Sequence, residues 1–205
     1  NPPRAQTYES RSVRAGIRFL TLSAGMALGL FAQIGLIAHL FSLLVPALGA
    51  QQAGLAMALA TASAVAGRTF VGWAMPVGAD RRLVACASYI VQIAGSIVFI
   101  VAANASAPLL LLGAVLFGVG IGNATSLPPL IAQVEFVKDD VARVVALTVA
   151  IAQGTYAFAP ATFGLIREFA SRAAGGASGA VPSFFVAAAL VQGLAICAFL
   201  AGRRR

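Results

Sequence analysis

Six apolar runs of about 20 residues recur along nearly the whole chain, and this pattern constrains the fold more than anything else in the sequence. At 1.5 Å of rise per residue, a helix of that length crosses a hydrocarbon core about 30 Å thick. The runs cover approximately Phe19 to Leu44, Gly54 to Met75, Leu83 to Ala103, Leu109 to Val134, Val141 to Ile166 and Val181 to Ala201. They predict an all-α integral membrane protein with six transmembrane helices. Composition agrees: 60% of the 205 residues are hydrophobic and 10% charged, far from the soluble range. No short apolar segment with a cleavage site precedes the first run, so none reads as a cleaved signal peptide.

Basic residues set the expected orientation. With six spans both termini share one side, which carries Arg4, Arg11, Arg14, Arg18, Arg81, Arg82, Lys138, Arg143, Arg203, Arg204 and Arg205. The opposite loops hold only Arg167 and Arg172. The positive-inside rule then places both termini in the cytoplasm, in a bacterial inner membrane. The net charge of +8 is accordingly topology rather than a nucleic-acid footprint, and no nucleic-acid partner is expected. Residues 1–18 read as a flexible cytoplasmic leader, 19–202 as the bundle and 203–205 as a basic tail. The stretch REFASRAAGGASGAVP reads as a mobile, glycine-rich loop on the far side. Cys86 and Cys197 fall within spans, at spacings that suit neither a disulfide nor a metal site, and read as small packing residues.

Arg68 stands inside the second run, eight residues before Pro76 and twelve before Asp80. That puts it roughly 12 to 18 Å from the cytoplasmic end, close to mid-membrane. A central arginine costs about 2.5 to 3.5 kcal/mol on insertion scales unless it meets a partner or a watery cavity. All the acidic residues (Glu9, Asp80, Glu135, Asp139, Asp140 and Glu168) lie at span ends or outside. Arg68 is therefore a candidate anion site, with a carbonyl-bonded packing arginine as the plain alternative. Ala60, Ala64, Arg68 and Gly72 form a ridge of small side chains, suited to close helix packing or to a cavity wall.

Further polar residues reach similar depth: Gln33 in the first run, Asn123 and Ser126 on one face of the fourth, and Gln153 with Tyr156 and Pro160 on one face of the fifth. Each alone is more often an interhelical hydrogen-bonding residue than a ligand, but with Arg68 they outline a cation-centred pocket. His39 reads as a packing residue near the far-side end of the first run. Gly118 and Gly122, four apart, suit close helix packing better than nucleotide binding, and Pro128 with Pro129 predict a kink or break near the cytoplasmic end of the fourth span.

The six-span layout, AGRTFVGW followed by GADRR, AQIGLIAHLFSLL and GVGIGNATSLPP together resemble the second six-helix half of a major facilitator superfamily transporter. The GR…G arrangement is similar to monocarboxylate and oxalate/formate-type members. That resemblance implies a secondary transporter of a small organic anion working by alternating access, with Arg68 meeting the substrate carboxylate. It also implies Gln33, Asn123, Gln153 and Tyr156 as further substrate contacts, and Asp80, Arg81 and Arg82 as a gating loop. It makes the third and sixth spans peripheral, ranks Gln92 and Gln192 low as ligands, and implies no cofactor. The chain departs from the pattern at Pro76, where an aspartate is usual, and in lacking a lysine in the fifth span, which favours a singly charged substrate. The expected partners are the anion, the lipid bilayer and an N-terminal six-helix half outside this sequence, the chain being a fragment.

Two rival readings come from other classes. Gly176 to Gly179 matches the G-x-S-G of six-span rhomboid-type serine proteases, but Ser178 is expected in a loop and His39 lies far upstream, so an enzyme is not expected. The other is a non-transporting membrane scaffold, and within the same class a superfamily transporter for an unrelated drug or metabolite is the further alternative.

Overall fold

A computed structural model of the chain describes residues 4–102, 106–173 and 177–203, with side chains described from residue 15 and, in the last segment, from residue 182. The described residues form seven helices and no strand: α1 (Arg4–Ala74), α2 (Arg81–Ala102), α3 (Ala107–Ile121), α4 (Leu127–Glu135), α5 (Lys138–Tyr156), α6 (Ala159–Ala173) and α7 (Ala177–Ala201).

A 60-residue apolar helix would be about 90 Å long, three times a bilayer core. α1 therefore has to fold back, and it does so at Gly49, whose φ of 75° and ψ of 163° belong to a region open essentially to glycine alone. The two limbs of α1 are the first two expected spans. α2 is the third, α3 and α4 together the fourth, α5 and α6 the fifth, and α7 the sixth. Side-chain contacts match that path: His39 Nε2 lies 2.9 Å from the Pro160 carbonyl and Arg167 donates to Ser42 Oγ at 2.8 Å at one end. Arg82 meets Thr21, Glu135 and the Phe199 carbonyl at the other.

Four helical stretches, Ala15–Ala74, Arg81–Ala102, Lys138–Ala173 and Pro182–Ala201, are long and apolar enough to cross a membrane. The polarity is also turned inside out. Trp73 and Leu20 are 82% and 66% exposed, while Gln33, Gln92, Gln192, Arg82 and Thr148 are buried. In water such an apolar exterior would drive association. The combination suggests a membrane-embedded protein.

Close backbone approach holds the second limb of α1 to α3. A Cβ on Gly118 would lie 2.3 Å from the Ala60 carbonyl oxygen, and one on Gly122 only 2.0 Å from that of Ala64. The Ala60 and Ala64 part of the ridge is thus a packing seam, whereas Arg68 and Gly72 at its other end are exposed and nothing lies within 4 Å of a Cβ on Gly72. Away from the seam the limb is exposed at Val65, Thr69, Phe70 and Trp73, while Arg68, one turn beyond Ala64 on the seam itself, is exposed at its end.

Two expectations about connections change. The leader is helical from Arg4 onward and runs without interruption into the first span, consistent with its alanine, glutamine, glutamate and arginine content. The expected far-side loop is mostly helix: α6 runs to Ala173 and α7 begins at Ala177, so Ser178 falls in a first helical turn instead of a loop. Cys86 is buried as expected, whereas Cys197 faces outward.

Candidate functional site

Arg68 lies six residues before the end of α1 at Ala74, about 9 Å of helix. That is nearer the helix end than the roughly 12 to 18 Å expected from Pro76 and Asp80, because α1 stops before Met75 and the chain turns through Gly78 at φ 87°. Its guanidinium is partly anchored. Nε donates to the Gly122 carbonyl at 2.7 Å and Nη2 to Thr125 Oγ1 at 3.3 Å, while the residue as a whole remains exposed. An arginine carries five N–H donors, so three have no partner here among the described residues.

The Gly122 carbonyl is available because the fourth span breaks between α3 and α4. Pro128 and Pro129, in the first turn of α4, bring no N–H for the carbonyls of Ala124 and Thr125, and their rings crowd those same oxygens. The chain unwinds over residues 122–126 and restarts at Leu127. The break was legible from the two prolines. Thr125 was not, since Asn123 and Ser126 share a face only in an unbroken helix. Here Asn123 is 3% exposed and Thr125 is the outward residue.

The other expected contacts divide. Tyr156 is half-buried and packs on a cluster containing Ala124, Ala152, Met26 and Leu30, so it borders the break that Arg68 also touches. Gln153, one turn earlier on α5, is exposed, and no hydrogen bond joins either residue to Arg68 among the described residues. Gln33 belongs elsewhere. It is 1% exposed and donates to Gln92 Oε1 at 2.9 Å, the same oxygen that accepts from Gln192 Nε2 at 3.1 Å. These three amides cross-link the first, third and sixth passes inside the bundle. Ser23 and Thr148 make a similar buried link at 3.1 Å between the first and fifth.

The expected gating residues are tied into a network at the opposite end from His39. Arg82, 1% exposed, commits every N–H: Nε and Nη2 to the two Glu135 oxygens at 2.7 and 2.9 Å, Nη1 to Thr21 Oγ1 at 3.1 Å and the Phe199 carbonyl at 3.2 Å, and Nη2 also to the Arg18 carbonyl at 3.1 Å. Gly202 makes room for this, since a Cβ there would lie 2.1 Å from Arg82 Nη1. Asp80 caps α2, its Oδ1 accepting the Arg82 N–H at 3.0 Å, while Oδ2 accepts from Arg203 Nε at 2.8 Å. Burial raises the Asp80 carboxyl, but the Arg203 hydrogen bond, the Leu83 and Arg82 N–H groups and the Arg203 charge outweigh it and hold the pKa below the ordinary 3.8. Arg81 donates to the Leu130 carbonyl.

No group of three or more histidine, cysteine, aspartate or glutamate side chains is placed to hold a metal among the described residues. No family model, curated protein or solved structure matches the chain.

Proposed function

We propose that this chain is the arginine-bearing half of a secondary transporter for a small, singly charged organic anion, of the major facilitator type. The observation that carries the reading is Arg68. Its guanidinium is held by Gly122 and Thr125 on one edge and exposed on the rest, beside an unwound segment of helix. A carboxylate is the natural ligand for an arginine with uncommitted parallel N–H groups in a poorly hydrated setting. Interrupted helices at the substrate site are a recurrent feature of transporters, because they free backbone groups and give a pivot. Tyr156, packed beside Ala124 in the broken segment, and Gln153, exposed one turn earlier on α5, are the next contacts in this reading, Asn123 is buried within the same segment, and Gln33 drops out because it belongs to the glutamine trio. Asp80, Arg81 and Arg82 are proposed to hold the cytoplasmic end closed, with coupling to protons left to the partner half.

The test is binding of labelled monocarboxylates to the purified chain, followed by uptake in vesicles when the chain is joined to a matching six-helix half. Arg68→Gln and Arg68→Lys are both expected to lose at least about ten-fold in affinity, since lysine keeps the charge but not the fork. Unchanged binding and uptake in both variants would leave the scaffold reading in place. The Arg68 bond to the Gly122 carbonyl, a purely packing interaction, is the observation in favour of that second reading.

A further inference from the structure

We infer that the end of the bundle opposite His39 carries a binding site for a phosphate-type oxyanion, with Arg81 and Arg203 as its donors. The inference does not depend on transport or on Arg68. A cavity of about 150 Å³ opens there between the 75–82 loop, α4 and the residues after α7. Three arginines and two carboxylates line it: Arg81, Arg82 and Arg203 against Asp80 and Glu135, a net charge of +1 (3 − 2).

How those charges are committed matters more than their sum. Both Glu135 oxygens accept from Arg82, whose N–H groups are all taken. Asp80 gives one oxygen to the α2 N-terminus and the other to Arg203. The acidic groups in the wall are therefore turned to partners of their own. Arg203 has only Nε committed, and Arg81 has one N–H on the Leu130 carbonyl and no carboxylate partner among the described residues. The uncommitted groups around the cavity are guanidinium donors, which suit the several acceptor oxygens of a phosphate.

Ile131 of α4 gives the same cavity an apolar wall, and the apolar Trp73 and Val77 project outward nearby, 82% and 106% exposed. That setting is the level of lipid headgroups, where basic pockets between helices take anionic lipids. The oxyanion has two possible sources, a phospholipid headgroup and free phosphate.

The experiment is thermal unfolding of the full chain in a neutral detergent, titrated separately with short-chain phosphatidylglycerol, short-chain phosphatidylcholine and inorganic phosphate at matched ionic strength. A saturable rise in midpoint with phosphatidylglycerol but not with phosphatidylcholine is expected, through ligand linkage to the folded state. The same rise with inorganic phosphate identifies the free ion as sufficient, and its absence there identifies the lipid. Arg81→Gln is expected to raise the half-saturating concentration at least ten-fold, and Arg172→Gln, at the opposite end, to leave it unchanged. If Arg81→Gln does not fold, Arg203→Gln takes its place under the same ten-fold criterion. No saturable rise with either ligand, or an unchanged half-saturating concentration in the arginine variant, overturns the inference.

Discussion

Replacing Glu135 by glutamine is the most informative single change at the end of the bundle opposite His39. Glutamine keeps the size and one acceptor oxygen but removes the charge facing Arg82, which is 1% exposed while Glu135 is 11% exposed. The arginine cannot reach water, and its three other acceptors are a threonine hydroxyl and two carbonyls, none charged. Removing one partner of a buried pair costs about 3 to 5 kcal/mol, mostly from stranding the remaining charge. Because the Thr21, Arg18 and Phe199 oxygens still solvate Arg82, the lower end, about 3 kcal/mol, is expected. Arg82→Met alone is expected to cost less, since Glu135 lies nearer the surface and can hydrate. In a double-mutant cycle read by reversible unfolding in micelles, the Arg82→Met/Glu135→Gln pair should show a coupling of about 1 to 3 kcal/mol. A coupling below about 0.5 kcal/mol would refute the claim that charge, rather than packing, organises this end.

Gly122→Ala forces a Cβ to within 2.0 Å of a backbone oxygen that cannot swing aside, so it should cost about 2 kcal/mol or more, seen as a lowered unfolding midpoint. Gly49→Ala is expected to cost about 1 to 3 kcal/mol through backbone strain alone, with nothing within 4 Å to clash, and Gly49→Asn should do no better, because asparagine's tolerance is for the αL region and not for a ψ of 163°. Gln92→Leu removes the shared acceptor of two buried amides and should destabilise more than Gln33→Leu or Gln192→Leu, by about 1 to 2 kcal/mol in micelles. For Asp80 the folded pKa lies below the unfolded value, so the unfolded chain binds the extra proton and the contribution is present above pH 3.8. It fades as the pH falls below that value through the folded pKa. Asp80→Asn should flatten this acid limb, and the effect should be small because the pair is well exposed.

How much of this was legible in the sequence depends on whether a feature is local. The apolar runs anticipated an all-helical chain with stretches long enough to cross a membrane, because helix length and hydropathy are local properties; four such stretches stand among the described residues. The prolines at 128 and 129 announced the broken helix, and the spacing of Gly118 and Gly122 announced close helix packing but not its partners, Ala60 and Ala64. The depth of Arg68 was overestimated, since nothing local told that α1 stops at Ala74. Gln33 was grouped with Arg68 because both are polar and deep, but depth is one coordinate and azimuth another. Only the three-dimensional arrangement turns Gln33 towards Gln92. The leader and the glycine-rich stretch before α7 were read as coil from their polarity and small residues, although helix propensity and continuity with neighbouring helices carry their described parts, from Arg4, up to Ala173 and from Ala177, into helices, with 174–176 outside the described residues.

The trio of glutamines also bears on assembly. Gln33 and Gln92 emerge early in synthesis and can pair as soon as the third pass is in place, leaving one lone pair of the Gln92 oxygen unclaimed. Gln192 arrives a hundred positions after Gln92 and fills it. The final helix thus fills that lone pair while bringing in a buried oxygen of its own, on Gln192, with no hydrogen-bond partner among the described residues, so completing the trio moves the open acceptor from Gln92 to Gln192 instead of removing it.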